Sequence, residues 1–233
     1  MAYRIITLTD SEYKRCLDFS IESARSQQDI EFGQHDTAPR SEHEIARDNL
    51  IGKMAEVAVA KMLREDFHLH LPINYEVYPR GEWDDSDIDV FNWVIDIKST
   101  RIGHYMLLEW SKLRFRHSSN RLPHVILMCR TPWDRTNDKP LGRNVELIGC
   151  VSLSALIQLK NGSMILRKGD YIPGTHTRLQ ATNYAVEFSN LSDIHSAIEY
   201  MKDNSIHHLL DLSLFFFYQS MLYQLINYTQ VMH

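Results

Sequence analysis

Asp87-Ile88-Asp89 and Asp96-Ile97-Lys98 lie at the two ends of a stretch in which polar and apolar residues alternate on either side of Asn92-Trp93. Alternation at period two is the signature of a half-buried β-strand, and the interruption predicts a β-hairpin turning at Asn92-Trp93. Residues two apart on a strand share a face, and so do cross-strand partners. With that turn, Asp89 stands opposite Asp96 and Asp87 opposite Lys98. Two carboxylates then lie at roughly 5 Å between their Cβ atoms, a repulsive arrangement unless a cation sits between them. Hard oxygen donors select Mg²⁺, Mn²⁺ or Ca²⁺, and Mg²⁺ held by two or three carboxylates keeps waters that can be activated near neutral pH. Lys98 completes the chemistry, because its ammonium can orient an attacking water or stabilise charge building on phosphorane oxygens.

A further carboxylate has a different setting. Between Met54 and Leu63 only Glu56 and Lys61 are charged, so the helix that carries them must be mostly buried. A carboxylate there is costly unless it is paired, protonated or metal-bound. The helix starts at a capping box, Ser41 followed by Glu44, and runs to about Glu65. Before it come a strand at Arg4 to Leu8, a helix from Thr9 or Asp10 to about Arg25, and a polar loop over residues 26 to 40. After it, strands are expected at Asn74 to Tyr78, Tyr105 to Trp110, His124 to Cys129 and Val145 to Val151, with the His124 to Cys129 run apolar enough to be central. Ser152 can cap a helix through Leu159, and a strand at Tyr184 to Phe188 precedes a helix from Asp193 to Met201. The class is α/β, a mixed central sheet flanked by helices. The domain reading is 1–203 for this unit, followed by a C-terminal helical extension at 204–233.

At Gly52-Lys53-Met54-Ala55-Glu56 in the long helix, at Asp89 opening the hairpin and at Asp96-Ile97-Lys98-Ser99-Thr100 closing it, the chain resembles the PD-(D/E)xK, or restriction-endonuclease-like, superfamily of nucleases. The resemblance implies a core in the order α-β-β-β-α-β within about residues 43 to 160. It implies that Glu56, Asp89 and Asp96, with the backbone carbonyl of Ile97, bind Mg²⁺ or Mn²⁺, and that Lys98 assists attack on the phosphate. Asp87 is the alternative to Asp89, since neither is preceded by proline. The expected activity is metal-dependent hydrolysis of phosphodiester bonds in nucleic acid, DNA rather than RNA. The alternative is a catalytically inactive module that kept the fold and binds nucleic acid or a protein.

A formal net charge of -5 argues against a general basic coat, so any contact with nucleic acid must be local. Arg101, Lys112, Arg114, Arg116 and Arg121 form a basic run directly after the acidic stretch, and they are the expected phosphate contacts. Asp85, Asp87, Asp89 and Asp96 also fit the register of an EF-hand calcium loop, but Val90 stands where that loop needs glycine. Three cysteines without CxxC spacing indicate neither a disulfide framework nor a zinc site and suit a reduced, cytoplasmic setting; the N-terminus lacks the apolar run of a signal peptide. Residues 205–231 are a strongly apolar helix candidate interrupted by Asp211, Gln219, Gln224 and Asn227. They are expected to dock on the core or on a second copy in a homodimer, not to span a membrane.

Overall fold

Capping side chains start both long helices of the computed structural model, which describes residues 3–26, 40–78, 88–110 and 122–204. Strand β1 (Arg4–Thr7) leads into α1 (Asp10–Ser26). There the Thr9 hydroxyl accepts from the Glu12 N–H at 3.2 Å, and the Thr9 N–H donates back to the Glu12 carboxylate at 2.7 Å. Helix α2 (Glu42–Phe67) opens on the Ser41–Glu44 capping box and closes at His68, whose left-handed φ of 56° lets its N–H reach the Leu63 carbonyl. The remaining elements are β2 (Ile88–Val90), β3 (Trp93–Thr100), β4 (Tyr105–Glu109), β5 (Val125–Arg130), the two-residue strands β6 (Trp133–Asp134) and β7 (Lys139–Pro140), and β8 (Asn144–Ser152). They are followed by α3 (Leu153–Ile157), β9 (Met164–Leu166), β10 (Asn183–Glu187) and α4 (Ile194–Asp203).

The mixed α/β class is as expected. Five strands form one sheet in the order β1-β8-β5-β3-β2, in which β3 and β5 run parallel and the other neighbours antiparallel. Strand β5 is central, as its unbroken apolar sequence requires. Ile95 and Ile97 on β3, Val125, Leu127 and Cys129 on β5, and Leu147 and Cys150 on β8 join α1, α2 and α4 in one buried cluster. Ile126, Met128, Ile148 and Val151 point the other way, into a second cluster with Met106, Leu108, Tyr184 and Val186. Strand β8 serves both faces through a bulge at Ile148, because Met128 pairs with Gly149 and Cys129 with Leu147. Gly149 must be glycine: a Cβ there would lie 2.6 Å from the Leu191 Cβ and 2.9 Å from the Ser192 carbonyl oxygen.

Three expectations are corrected. Strand β4 pairs with β10 in a separate sheet of order β4-β10-β9, so the three strands after the long helix do not form a single sheet. Residues 74–78 are not a strand. Asn74 accepts from the Glu76 N–H at 2.8 Å and donates to the Tyr78 hydroxyl at 2.8 Å, so side chains take up the local polar groups in an Asx turn. The hairpin turns at Phe91-Asn92 rather than Asn92-Trp93, with φ of 51° and 68°, and the register is Ile88–Ile95, Asp89–Val94 and Val90–Trp93. A two-residue loop that matches strand twist needs positive φ at both positions, which asparagine tolerates well. Trp93 is thereby placed in the strand, where its ring packs on the first cluster and edge-on to Tyr200.

The expected helix at 205–231 and most of the polar loop at 26–40 lie outside the described residues. Among the described residues, no helix is long and apolar enough to cross a membrane.

Candidate functional site

On β3, alternation sends Ile95 and Ile97 towards the helices, and Asp96 and Lys98 towards the opposite face, where their β5 partners are Ile126 and Met128. Asp96 is only 7% exposed. A carboxylate so placed needs a counter-charge, and the ammonium of Lys98 supplies it: Nζ donates to Asp96 Oδ1 at 2.7 Å. The Lys98 side chain remains one-third exposed, so one end of the pair reaches solvent.

Asp89 is exposed on β2, across from Val94. It does not stand directly opposite Asp96, as the Asn92-Trp93 turn required. Moving the turn by one residue changes every cross-strand partner by two positions, so the face is preserved while the pairing becomes diagonal. Cα atoms of diagonal neighbours lie roughly 7–8 Å apart, close enough for two aspartates to approach one ion from either side. Asp87 lies outside the described residues. Ile97 sits in β3 beside Leu127, with its side chain in the first cluster and its backbone in the ladder that holds Asp96 and Lys98 in place.

Glu56 lies on α2. Its helix packs against the Ile95–Ile97 face, and its carboxylate accepts from the Lys53 ammonium at 2.5 Å. Lys53 also donates to the Asn74 carbonyl at 2.8 Å and lies 4.5 Å from the Phe19 ring centroid. The expectation that Glu56 must find a partner is met by a lysine one turn earlier. Sequence reasoning missed it by beginning the apolar window at Met54, although i and i+3 share a helix face. Among the described residues, no group of three or more His, Cys, Asp or Glu side chains is gathered closely enough to hold a metal ion.

Of the expected phosphate contacts, Lys112, Arg114, Arg116 and Arg121 lie outside the described residues. Arg101 follows the end of β3. Its guanidinium stands 3.6 Å from the Asp138 carboxylate and 5.4 Å from the Trp133 ring centroid. Partial burial, with Arg47 nearby, lowers its pKa. Arg47 on α2 approaches the same carboxylate at 3.4 Å, and His43 does so at 3.5 Å. Neither Arg47 nor Asp138 has a signal in the sequence that ties it to Arg101, because a helix, a strand end and a hairpin distant in the chain bring them together.

Against family models, curated proteins and solved structures alike, the chain finds no match, so its chemistry is read from its own residues.

Proposed function

We propose that the protein is a divalent-metal-dependent nuclease acting on nucleic acid, DNA in preference to RNA, with its chemistry centred on Asp96 and Lys98. The observation that carries this reading is the Asp96–Lys98 pair, in which a buried carboxylate is joined at 2.7 Å to a lysine whose side chain is one-third exposed. The pair offers an ammonium to a ligand while fixing a carboxylate behind it.

The donor set fits a hard cation. Asp96 and Asp89 present carboxylates on one face of the β2–β3 hairpin, and these would hold Mg²⁺ or Mn²⁺. The ion would supply an activated water near neutral pH and neutralise charge on the phosphate. Lys98 orients the phosphate and stabilises negative charge on its oxygens, held at the right point by Asp96. Glu56, engaged by Lys53, is not needed for this set.

A second reading has its own supporting observation. Lysines already neutralise both Glu56 and Asp96, which accounts for the burial of these acids without an ion and favours an inactive nuclease-fold module that binds nucleic acid or a protein.

Incubation of the purified protein with circular DNA, linear DNA and RNA, each with Mg²⁺, Mn²⁺ or EDTA, decides between them. Cleavage should require metal, and Lys98→Ala and Asp96→Ala should each reduce it by about 10²-fold or more. Undiminished cleavage by either variant, or no cleavage by wild type under any condition, would remove the nuclease reading.

A further inference from the structure

Beyond Lys98, at the carboxyl ends of the parallel strands β3 and β5, basic groups from distant parts of the chain converge. The two strand ends are tied together, with the Thr131 N–H donating to the Thr100 carbonyl at 2.9 Å. Arg101 extends from β3, Arg47 and His43 come from the first turns of α2, and the short β6–β7 hairpin brings Trp133 and Asp138. Carboxyl ends of strands in open α/β sheets are where ligands commonly bind.

Asp138 is the hub of this cluster and serves it incompletely. Its Oδ1 accepts a well-formed hydrogen bond from Trp133 Nε1 at 2.8 Å. The basic side chains are farther away: Arg47 Nη1 at 3.4 Å, His43 Nδ1 at 3.5 Å and Arg101 Nη1 at 3.6 Å. Charge-assisted N–H···O bonds close to roughly 2.7–2.9 Å when the acceptor is the right size and shape. Arg47 Nε is buried and has no hydrogen-bond partner among the described residues. The other carboxylate within its reach, Asp48 at 3.5 Å, is engaged by Arg40 at 2.8 Å. Two guanidinium groups and an imidazole thus converge on one aspartate. The cluster has donors that this aspartate does not saturate, and spacing that suits a larger anion with several oxygens.

We propose that Arg47, Arg101 and His43 form a binding site for a backbone phosphate of a nucleic-acid strand, in which Asp138 is the resident counter-charge that the phosphate displaces. This rests on the nuclease reading only in the choice of ligand. Arg101 lies three residues past Lys98, at most about 10 Å along the chain, so the two groups meet at the end of β3 although period two sends their side chains to different faces.

The test is binding of a short single-stranded DNA oligonucleotide in EDTA, followed by fluorescence anisotropy at several salt concentrations. Arg47→Ala and Arg101→Ala should each weaken binding about tenfold and reduce the salt slope by about one unit. Arg47→Lys should keep most of the affinity, which separates loss of charge from misfolding. Asp138→Asn, which retains an acceptor for Trp133, should tighten binding about threefold or more by removing the competing charge. Wild-type affinity in both arginine-to-alanine variants, or weaker binding by Asp138→Asn, would overturn the site. Inorganic phosphate saturating the cluster as tightly as the oligonucleotide would overturn the assignment to a strand. Failure of the nuclease reading looks different: wild type that cuts nothing with Mg²⁺ or Mn²⁺ but binds as described leaves this site standing.

Discussion

Two lysine–carboxylate pairs lie on opposite sides of the main sheet, and they are built in opposite senses. In the α2 pair the lysine is the buried member, with 8% of the Lys53 side chain exposed against 21% for Glu56. In the β3 pair the carboxylate is buried, with 10% of the Asp96 side chain exposed against 33% for Lys98. The surroundings differ accordingly. Lys53 gives one hydrogen bond to Glu56 and one to the Asn74 carbonyl, and it lies near the rings of Phe19 and Tyr75. These contacts tie α1, α2 and the segment after α2 together. Lys98 is bound to Asp96, and a third of its side chain is exposed to solvent. An ion pair whose cation is enclosed contributes to the fold, whereas one whose cation is presented can act on a ligand.

The largest expected effect is a double dissociation between the pairs. Lys98→Ala should lower metal-dependent cleavage by about 10²-fold or more. Glu56→Gln should leave cleavage within a few-fold of wild type but destabilise the protein, because the Lys53 ammonium stays buried without its charged partner. Breaking a fully buried pair costs about 3–5 kcal/mol; with Glu56 partly exposed, about 2 kcal/mol is the appropriate scale. For a domain of this size that lowers Tm by about 4–8 °C. The distinction between the pairs is lost if Glu56→Gln abolishes cleavage with an unchanged Tm, which would return Glu56 to the metal site.

Local patterns make much of the fold legible in the sequence. The capping box at Ser41–Glu44, the N-cap at Ser152 and the central position of β5 depend on residues near one another in the chain, and all are found. The face shared by Asp89, Asp96 and Lys98 is equally legible, because a one-residue error in the turn preserves strand parity. The direct pairing is not, since it depends on choosing between Phe91-Asn92 and Asn92-Trp93. A phenylalanine at positive φ is an uncommon choice that the packing of both aromatic residues favours here. The transfer of β4 to a second sheet and the meeting of Arg47, Arg101 and Asp138 are long-range outcomes with no local signal.

Metal binding sharpens the comparison next. An ion that binds the native state alone adds about 2.7 kcal/mol at a hundredfold excess over its dissociation constant, a shift visible in a thermal melt. Saturating Mn²⁺ should therefore raise the Tm of wild type and of Glu56→Gln by similar amounts. Asp96→Asn should lose most of that rise, because it removes a ligand on the hairpin while leaving the other pair intact. An equal shift in all three proteins would place the ion away from Asp96.

The smallest effect uses the cysteines as local reporters. Burial pushes the Cys16 thiol up to about 12, against hydrogen bonding by Tyr75 and the nearby Lys53, which act in the opposite direction. Burial likewise raises Cys129, on the central strand, to about 12. A folded-state pKa above the unfolded value of 9.0 means that the stabilisation from keeping each thiol neutral is fully present below pH 9 and declines as pH rises from there towards 12. At about pH 8 neither thiol of the native protein should react with a maleimide except through an opening of the structure. Cys16 lies in the α1–α2 region that Lys53 ties together, whereas Cys129 lies inside the sheet. In Glu56→Gln, labelling followed by peptide mass spectrometry should find Cys16 modified well before Cys129, as the helices separate locally. Simultaneous labelling of both cysteines in Glu56→Gln would mean that its lost stability is global, and that the Lys53–Glu56 pair supports the whole core and not the contact between α1 and α2.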